Sequence, residues 1–309
     1  MQPLIWDRRP AGLRAPAMVC AFEGWNDAGD AASTAVAFMS TALGAERFAH
    51  IDTEEFYDFQ ANRPRIRLSG EGDSRREIEW PSVEMYAAQV PGGQRDLVLV
   101  QGVEPSLRWR SFSALIVELA EALGVQMVIT LGALLADVPH TRPVAMTGFA
   151  SDPVLMERMG AHRPSDYEGP TGIVGVLHSA CTDAGLPSMS LWASIPHYVA
   201  AAPSPKAALA LVRRLEGVLG ISLDTAELEE ATVGYERQVG LAVSSNPEVQ
   251  AFVDRLEQDE ADDEDADEDG SADLPLLLED LPSGDLLASE FQRFLRQQGD
   301  DEPPQGAGT

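Results

Sequence analysis

Ala17-Met-Val-Cys-Ala-Phe22 is an unbroken apolar run, the pattern of a strand buried on both faces of a sheet. A polar turn follows, Glu23-Gly-Trp-Asn-Asp-Ala-Gly-Asp30, and then an alanine-rich helical stretch that stops at Gly44. The same kind of strand recurs at Asp96-Leu-Val-Leu-Val-Gln101, Gln126-Met-Val-Ile-Thr-Leu131 and Ser188-Met-Ser-Leu-Trp-Ala-Ser-Ile195. Helical periodicity fills the intervals, over 107–123, 152–159 with 171–184, and 205–219. Buried strands alternating with helices predict an α/β fold with a mainly parallel sheet and right-handed crossovers.

Two regions depart from this rhythm. Arg65-Ile-Arg-Leu68, Glu77-Ile-Glu-Trp80 and Val83–Val90 alternate polar and apolar residues, as half-exposed strands do. They predict an antiparallel insertion, an edge extension of the sheet, or an oligomer surface. From Thr225 the chain reads as a polar helical hairpin ending near residue 258, with Leu228, Tyr235, Val239 and Ala242 on one face. Residues 259–275 are too acidic and too poor in apolar side chains to order themselves. Beyond them Leu287, Phe291, Phe294 and Leu295 form one stripe of a short helix. Asp285 falls in its first turn and Arg293 and Arg296 in its last, matching the helix dipole. The expected organisation is an α/β domain over 1–222, a helical hairpin over 223–258 and an acidic disordered linker over 259–283. An amphipathic helix over 284–298 and a disordered tail over 299–309 complete it.

Charge decides which functions to exclude. The 309 residues carry 22 basic and 50 acidic side chains, a formal net charge of −28. A nucleic-acid binder needs a basic footprint, and anionic lipid would repel such a chain. The imbalance is uneven: residues 1–256 hold 32 acids and 20 bases, net −12, whereas 257–309 hold 18 and 2, net −16. Of the bases, 21 are arginine and one is lysine, Lys206. Lys206 has no glycine loop before it, so neither a phosphate loop nor a kinase lysine is available. Two cysteines, Cys20 and Cys181, form no disulfide scaffold or C-x-x-C motif. The N-terminus lacks a signal-peptide apolar core, and no run is long enough to span a bilayer. The expectation is a cytoplasmic protein.

Ligands of open α/β sheets gather beyond the carboxyl ends of the strands. There this sequence places Glu23, Trp25, Asn26 and Asp27, then Glu104, Arg108 and Arg110. Asp137, His140 and Arg142 follow the next strand, and His197 the last. Converging on one edge, such carboxylates and histidines would suit acid–base work or a divalent ion. The alternative is that the carboxylates cap helices and the arginines pair with them. Glu168-Gly-Pro-Thr-Gly-Ile-Val-Gly175 opens a helix with a glycine-rich turn. Gly169, Thr171 and Gly172 could leave backbone N–H groups for an anion, or simply make a tight turn. His178 and Cys181, three apart, lack two further metal ligands, which favours a core pair. No cofactor is expected, and the common hydrolase and zinc-protease signatures are absent.

Several of these motifs carry a resemblance. Ala21-Phe-Glu-Gly-Trp-Asn-Asp-Ala-Gly-Asp30, Glu55–Phe59 with Asn62-Arg-Pro64, and Gly102–Arg110 occur in order with Leu131–Asp137, His140–Pro143, Tyr167–Gly172, Pro196–Val199 and Pro203–Ala207. The chain resembles an actinobacterial member of the proteasome assembly chaperone 2 family over roughly residues 15–258. The resemblance implies a three-layer α/β/α fold like that of nucleoside phosphorylases and related hydrolases, and homo-oligomers, trimers in the bacterial branch. It also implies possible proteasome partners, without an established chemical reaction. The bacterial branch has been linked to ATP-grasp ligases, a label that a single lysine at a helix start does not suit. Archaeal relatives dock through a C-terminal hydrophobic–Tyr–any tripeptide, whereas this chain ends Gln305-Gly-Ala-Gly-Thr309, which puts that docking route in doubt. Together these readings point to a non-enzymatic, homo-oligomeric interaction protein. The alternative is an enzyme or binding protein for a phosphate, nucleotide or carboxylate ligand.

Overall fold

The computed structural model describes residues 3–69, 75–159, 168–199 and 203–267. Four apolar runs make the parallel centre of an eight-stranded sheet: β2 (Ala17–Glu23), β7 (Leu97–Val103), β8 (Met127–Ala136) and β10 (Ser188–Pro196). Antiparallel strands extend it on both sides. β1 (Leu4–Trp6), β3 (Glu46–Ile51) and β6 (Val83–Ala88) lie beyond β7, and β9 (Met146–Ala150) lies beyond β10. The strand order is β1-β3-β6-β7-β2-β8-β10-β9.

Alternation along the central strands builds two cores. Ala17, Val19 and Ala21 of β2 join one buried cluster, and Met18, Cys20 and Phe22 the other. The first is covered by α1 (Ala31–Ala42), α5 (Pro205–Leu219), α6 (Ala226–Ser244) and α7 (Pro247–Asp267), through residues such as Val36, Leu211, Tyr235 and Val253. The second lies under α2 (Trp109–Ala122) and α4 (Ile173–Asp183), through Phe112, Ile116, Leu177 and Cys181. The result is the three-layer α/β/α arrangement expected from the strand–helix alternation. α5 illustrates why its boundaries were legible. The Ser204 hydroxyl accepts from the Ala207 N–H at 3.3 Å, Pro205 opens the helix, and Gly220 closes it in the left-handed region.

Four features differ from the expectations. β1, β3 and β9 are strands that the sequence pattern did not reveal, because β1 has only three residues, β3 opens on two charged ones and β9 carries a glycine in a run of five. β8 runs to Ala136, past the loop expected from Gly132, since β10 pairs with it through Pro196↔Ala136. The region 52–90 divides: β6 joins the main sheet, while β4 (Arg65–Ser69) and β5 (Arg75–Glu79) form a separate two-stranded sheet. α7 continues to Asp267, beyond the hairpin end expected near 258. No proline or glycine interrupts the chain between Pro247 and Gly270, so acidic composition alone does not stop the helix. The remainder of the expected linker, the helix 284–298 and the tail 299–309 lie outside the described residues. A short helix α3 (Pro153–Met159) follows β9.

Candidate functional site

The turn after β2 is where most of the expected residues meet. The Asn26 carbonyl accepts from the Ala133 N–H at 2.8 Å, which sews the turn to β8. The Asn26 amide donates to Glu104 Oε1 at 2.6 Å, and the same oxygen accepts from the Ile173 N–H at 2.9 Å. One carboxylate, arriving from the end of β7, therefore ties β2 to β7 and fills the N-terminus of α4. Asn26 is 1% exposed, and its Oδ1 has no hydrogen-bond partner. Gly172, the residue before α4, is obligatory here: a Cβ would lie 2.3 Å from Asn26 Oδ1. The glycine-rich turn thus serves close packing, and the helix N-terminus expected to receive an anion already holds Glu104. Gly169 and Thr171 lie exposed on the approach to it.

Asp27 performs the equivalent task for α1. Its Oδ1 accepts from Ala32 N at 2.7 Å and its two oxygens share Ser33 N at 3.3 Å. Burial pushes this carboxyl upward against those hydrogen bonds. The residue is 4% exposed.

Asp137, His140, Arg142 and His197 do not join this cluster. The extra length of β8 carries the first three to the end of β10, where different partners hold them. His197 Nδ1 lies 3.1 Å from Asp137 Oδ1. The His140 N–H donates to the Tyr198 hydroxyl at 2.7 Å, and its Nδ1 is 2.9 Å from the same oxygen. Lys206 donates to the His140 carbonyl at 2.6 Å and pairs with Glu236 of α6 at 2.8 Å. Burial, then Lys206, push the His140 pKa down, so the ring is neutral at neutral pH. Arg142 is exposed. Arg108 pairs with Glu55 at 2.5 Å and Arg110 is exposed at the start of α2. The hydrogen bonds tie Asn26 to Glu104 and, separately, His140 to Tyr198, with His197 beside Asp137.

Glu23 and Trp25, both exposed, face an open groove of about 990 Å³ at the ends of β2 and β7. Its far wall is the β4–β5 hairpin with Arg63, Arg65, Arg67 and Trp80. The sequence analysis missed these arginines as site residues. Their alternation with Ile66 and Leu68 was visible, but which face turns toward the body was not. Among the described residues no group of three His, Cys, Asp or Glu could hold a metal. His178 lies edge-on to Phe149 at 4.7 Å, and burial lowers its pKa. Burial pushes Cys181 up to about 12. Cys181 belongs to the core, and His178 is half-buried.

The fold and site define a three-layer α/β/α protein in which two strand-end carboxylates, Asp27 and Glu104, bind the N-termini of α1 and α4. The chain belongs to the PAC2 family, whose model matches residues 21–242. A PAC2 family protein from Streptomyces avermitilis is 50% identical, with a TM-score of 0.71 over 77% of this chain and 99% of its own. A proteasome-assembly chaperone homologue from Mycobacterium tuberculosis is 44% identical, with a TM-score of 0.70 over 77% and 99%. PbaB from Pyrococcus furiosus, described as an archaeal proteasome activator, shares the fold at 18% identity and a TM-score of 0.61, over 76% and 96%. No curated protein matches closely enough to add a relative. Among the described residues no helix is long and apolar enough to cross a membrane.

Proposed function

We propose that this protein is a non-enzymatic, homo-oligomeric interaction protein that acts as a chaperone for proteasome subunits. The observation that carries the reading is the β4–β5 hairpin. It lies outside the main sheet and leaves Ile66, Leu68, Ile78 and Trp80 exposed at 62%, 71%, 57% and 45%. A two-stranded hairpin is marginal alone in water, and a contiguous apolar face marks an interaction surface. The reading is supported by the M. tuberculosis relative described as a proteasome-assembly chaperone homologue. It agrees with carboxylates committed to helix capping.

The test has two parts. Light scattering on the full chain should give a mass of several protomers, and Ile66→Glu with Ile78→Glu should reduce it to one. Because both positions are exposed on the protomer, the protomer's own stability should change by no more than about 0.5 kcal/mol per site. Affinity capture from the native lysate should recover proteasome α subunits with the parent chain. A monomeric parent, or capture without any proteasome subunit, overturns the proposal.

Arg63 and Arg65, near Trp25 in a groove that Glu23, Glu79, Glu84 and Glu104 also line and where Arg67 pairs with Glu79, favour a second reading, a phosphate- or carboxylate-bearing small molecule held by those arginines. Inorganic phosphate, nucleotides or citrate should then raise the melting temperature of the parent chain and not of Arg63→Ala/Arg65→Ala. Equal melting of both with every compound removes this reading.

A further inference from the structure

A second groove, of about 610 Å³, runs along α5 between α3 and α6. Among the described residues Arg158, Lys206, Arg213 and Arg214 line it, with Glu236 as the only acid. Val144, Met146 and Leu209 supply an apolar floor. Lys206 pairs with Glu236, and Arg213 with Glu229 at 2.9 Å. Arg158, Lys206 and Arg213 against Glu236 and Glu229 leave the described part of this groove positive, on a chain whose net charge is −28. Exposed ion pairs such as Arg213–Glu229 are weak and readily exchange partners.

α7 passes beside this groove before the described structure ends at Asp267. Glu257 of α7 accepts from the Thr141 hydroxyl at 2.5 Å, two residues before Pro143, which lines the groove. From Glu257 to Asp267 a helix advances about 15 Å. Beyond lies Leu274-Pro-Leu-Leu-Leu-Glu-Asp-Leu281, followed by Asp285-Leu-Leu-Ala-Ser-Glu290. This stretch holds leucines and acids, and no base occurs between Arg255 and Arg293. The seven residues from Asp267 to Leu274 reach at most about 24 Å fully extended, enough to bring it back over the end of α7.

We propose that the acidic, leucine-rich segment 274–290 docks in cis into the basic groove formed by α3, α5 and α6. Its leucines cover Val144, Met146 and Leu209, and Glu279, Asp280 and Asp285 meet Arg158 and Arg213. The proposal is independent of the chaperone reading, which rests on the β4–β5 hairpin. A short tether sets an effective concentration in the millimolar range, so an intrinsic Kd of about 0.1 mM gives about ten closed molecules for each open one.

Hydrogen exchange on the full chain tests it. Amides within 276–290 should exchange about tenfold more slowly than in a free peptide of the same sequence, following the closed-to-open ratio. Arg158→Glu/Arg213→Glu should abolish that protection while the exchange of β2 and β8 stays unchanged. Adding Glu279→Arg/Asp280→Arg to those substitutions should restore it, a rescue that general damage to α5 could not produce. Free-peptide rates in the parent chain overturn the proposal. So does protection that disappears on dilution, which would place the segment on a second copy, or protection that survives the groove substitutions.

Discussion

Glu104→Ala should destabilise the protein by about 3 kcal/mol, because a hydrogen bond to a charged acceptor is worth about 1.5–3 kcal/mol and this carboxylate accepts two. Glu104 Oε1 receives the Asn26 amide at 2.6 Å and the Ile173 N–H at 2.9 Å. Alanine would leave both donors without it. Asn26, 1% exposed and already without a partner for Oδ1, would also lose the acceptor for its amide. The start of α4 would also lose the negative charge that complements its dipole. For a folded body of this size, about 3 kcal/mol corresponds to a fall in melting temperature of about 6–12 °C. Glu104→Gln keeps an acceptor for Ile173 and loses only the charge, so it should cost about 1 kcal/mol. The comparison bears on function as well as stability. A carboxylate held for chemistry in strained surroundings is often released by substitution, with a gain in stability. A fall of under about 1 kcal/mol on Glu104→Ala would therefore contradict the capping role and return Glu104 to the list of ligand-facing groups.

The same residue shows what the sequence made legible. The apolar run 17–22 announces a strand buried on both faces, and Val19 and Cys20 do enter opposite cores. Ser204, Pro205 and Gly220 announce both ends of α5. Asp27 was recognisable as a candidate for either capping or chemistry, and its bonds to Ala32 and Ser33 decide for capping. What the sequence could not supply was the end of β8. Gly132 looked like the start of a loop because glycine commonly interrupts strands. Here it remains in the strand because Trp192 of β10 packs across it, so closely that a Cβ would lie 2.6 Å from the indole. That extension places Asp137 just past Pro196↔Ala136, the last pair of β8 with β10, a register set by long-range pairing that no local pattern encodes. The hairpin arginines were hidden for a related reason: period-two alternation identifies two faces but not which one meets the body.

Asp96→Ala should cost about 3 kcal/mol, near the lower end for breaking a buried charge pair, because Arg14 remains partly in water. The Asp96 side chain is fully buried, whereas that of Arg14 is 53% exposed. The carboxylate accepts from the Arg14 N–H at 2.7 Å, from Arg14 Nη2 at 2.7 Å and Nε at 3.2 Å, and from the Val90 N–H at 2.9 Å. These bonds latch the approach to β2 onto the turn that enters β7, so two central strands depend on one side chain. Hydrogen bonding by Arg14 holds the Asp96 carboxyl at about 2, below its usual 3.8. A depressed folded pKa adds stability that is complete above the unfolded value and lost as pH falls through the folded one. The window is therefore pH 4 down to 2. Solvent screening on the Arg14 side limits the pH-dependent part to about 1–2 kcal/mol. The other carboxylates complicate a simple acid titration, since neutralising a chain of net charge −28 relieves self-repulsion and stabilises it. The difference between the parent and Asp96→Asn removes that shared background. Urea unfolding of both chains should show a gap that is widest above pH 5 and narrows by about 1–2 kcal/mol toward pH 2. A gap that stays constant across that range would mean the latch is held by shape and neutral hydrogen bonds, with no share for the charge of Asp96.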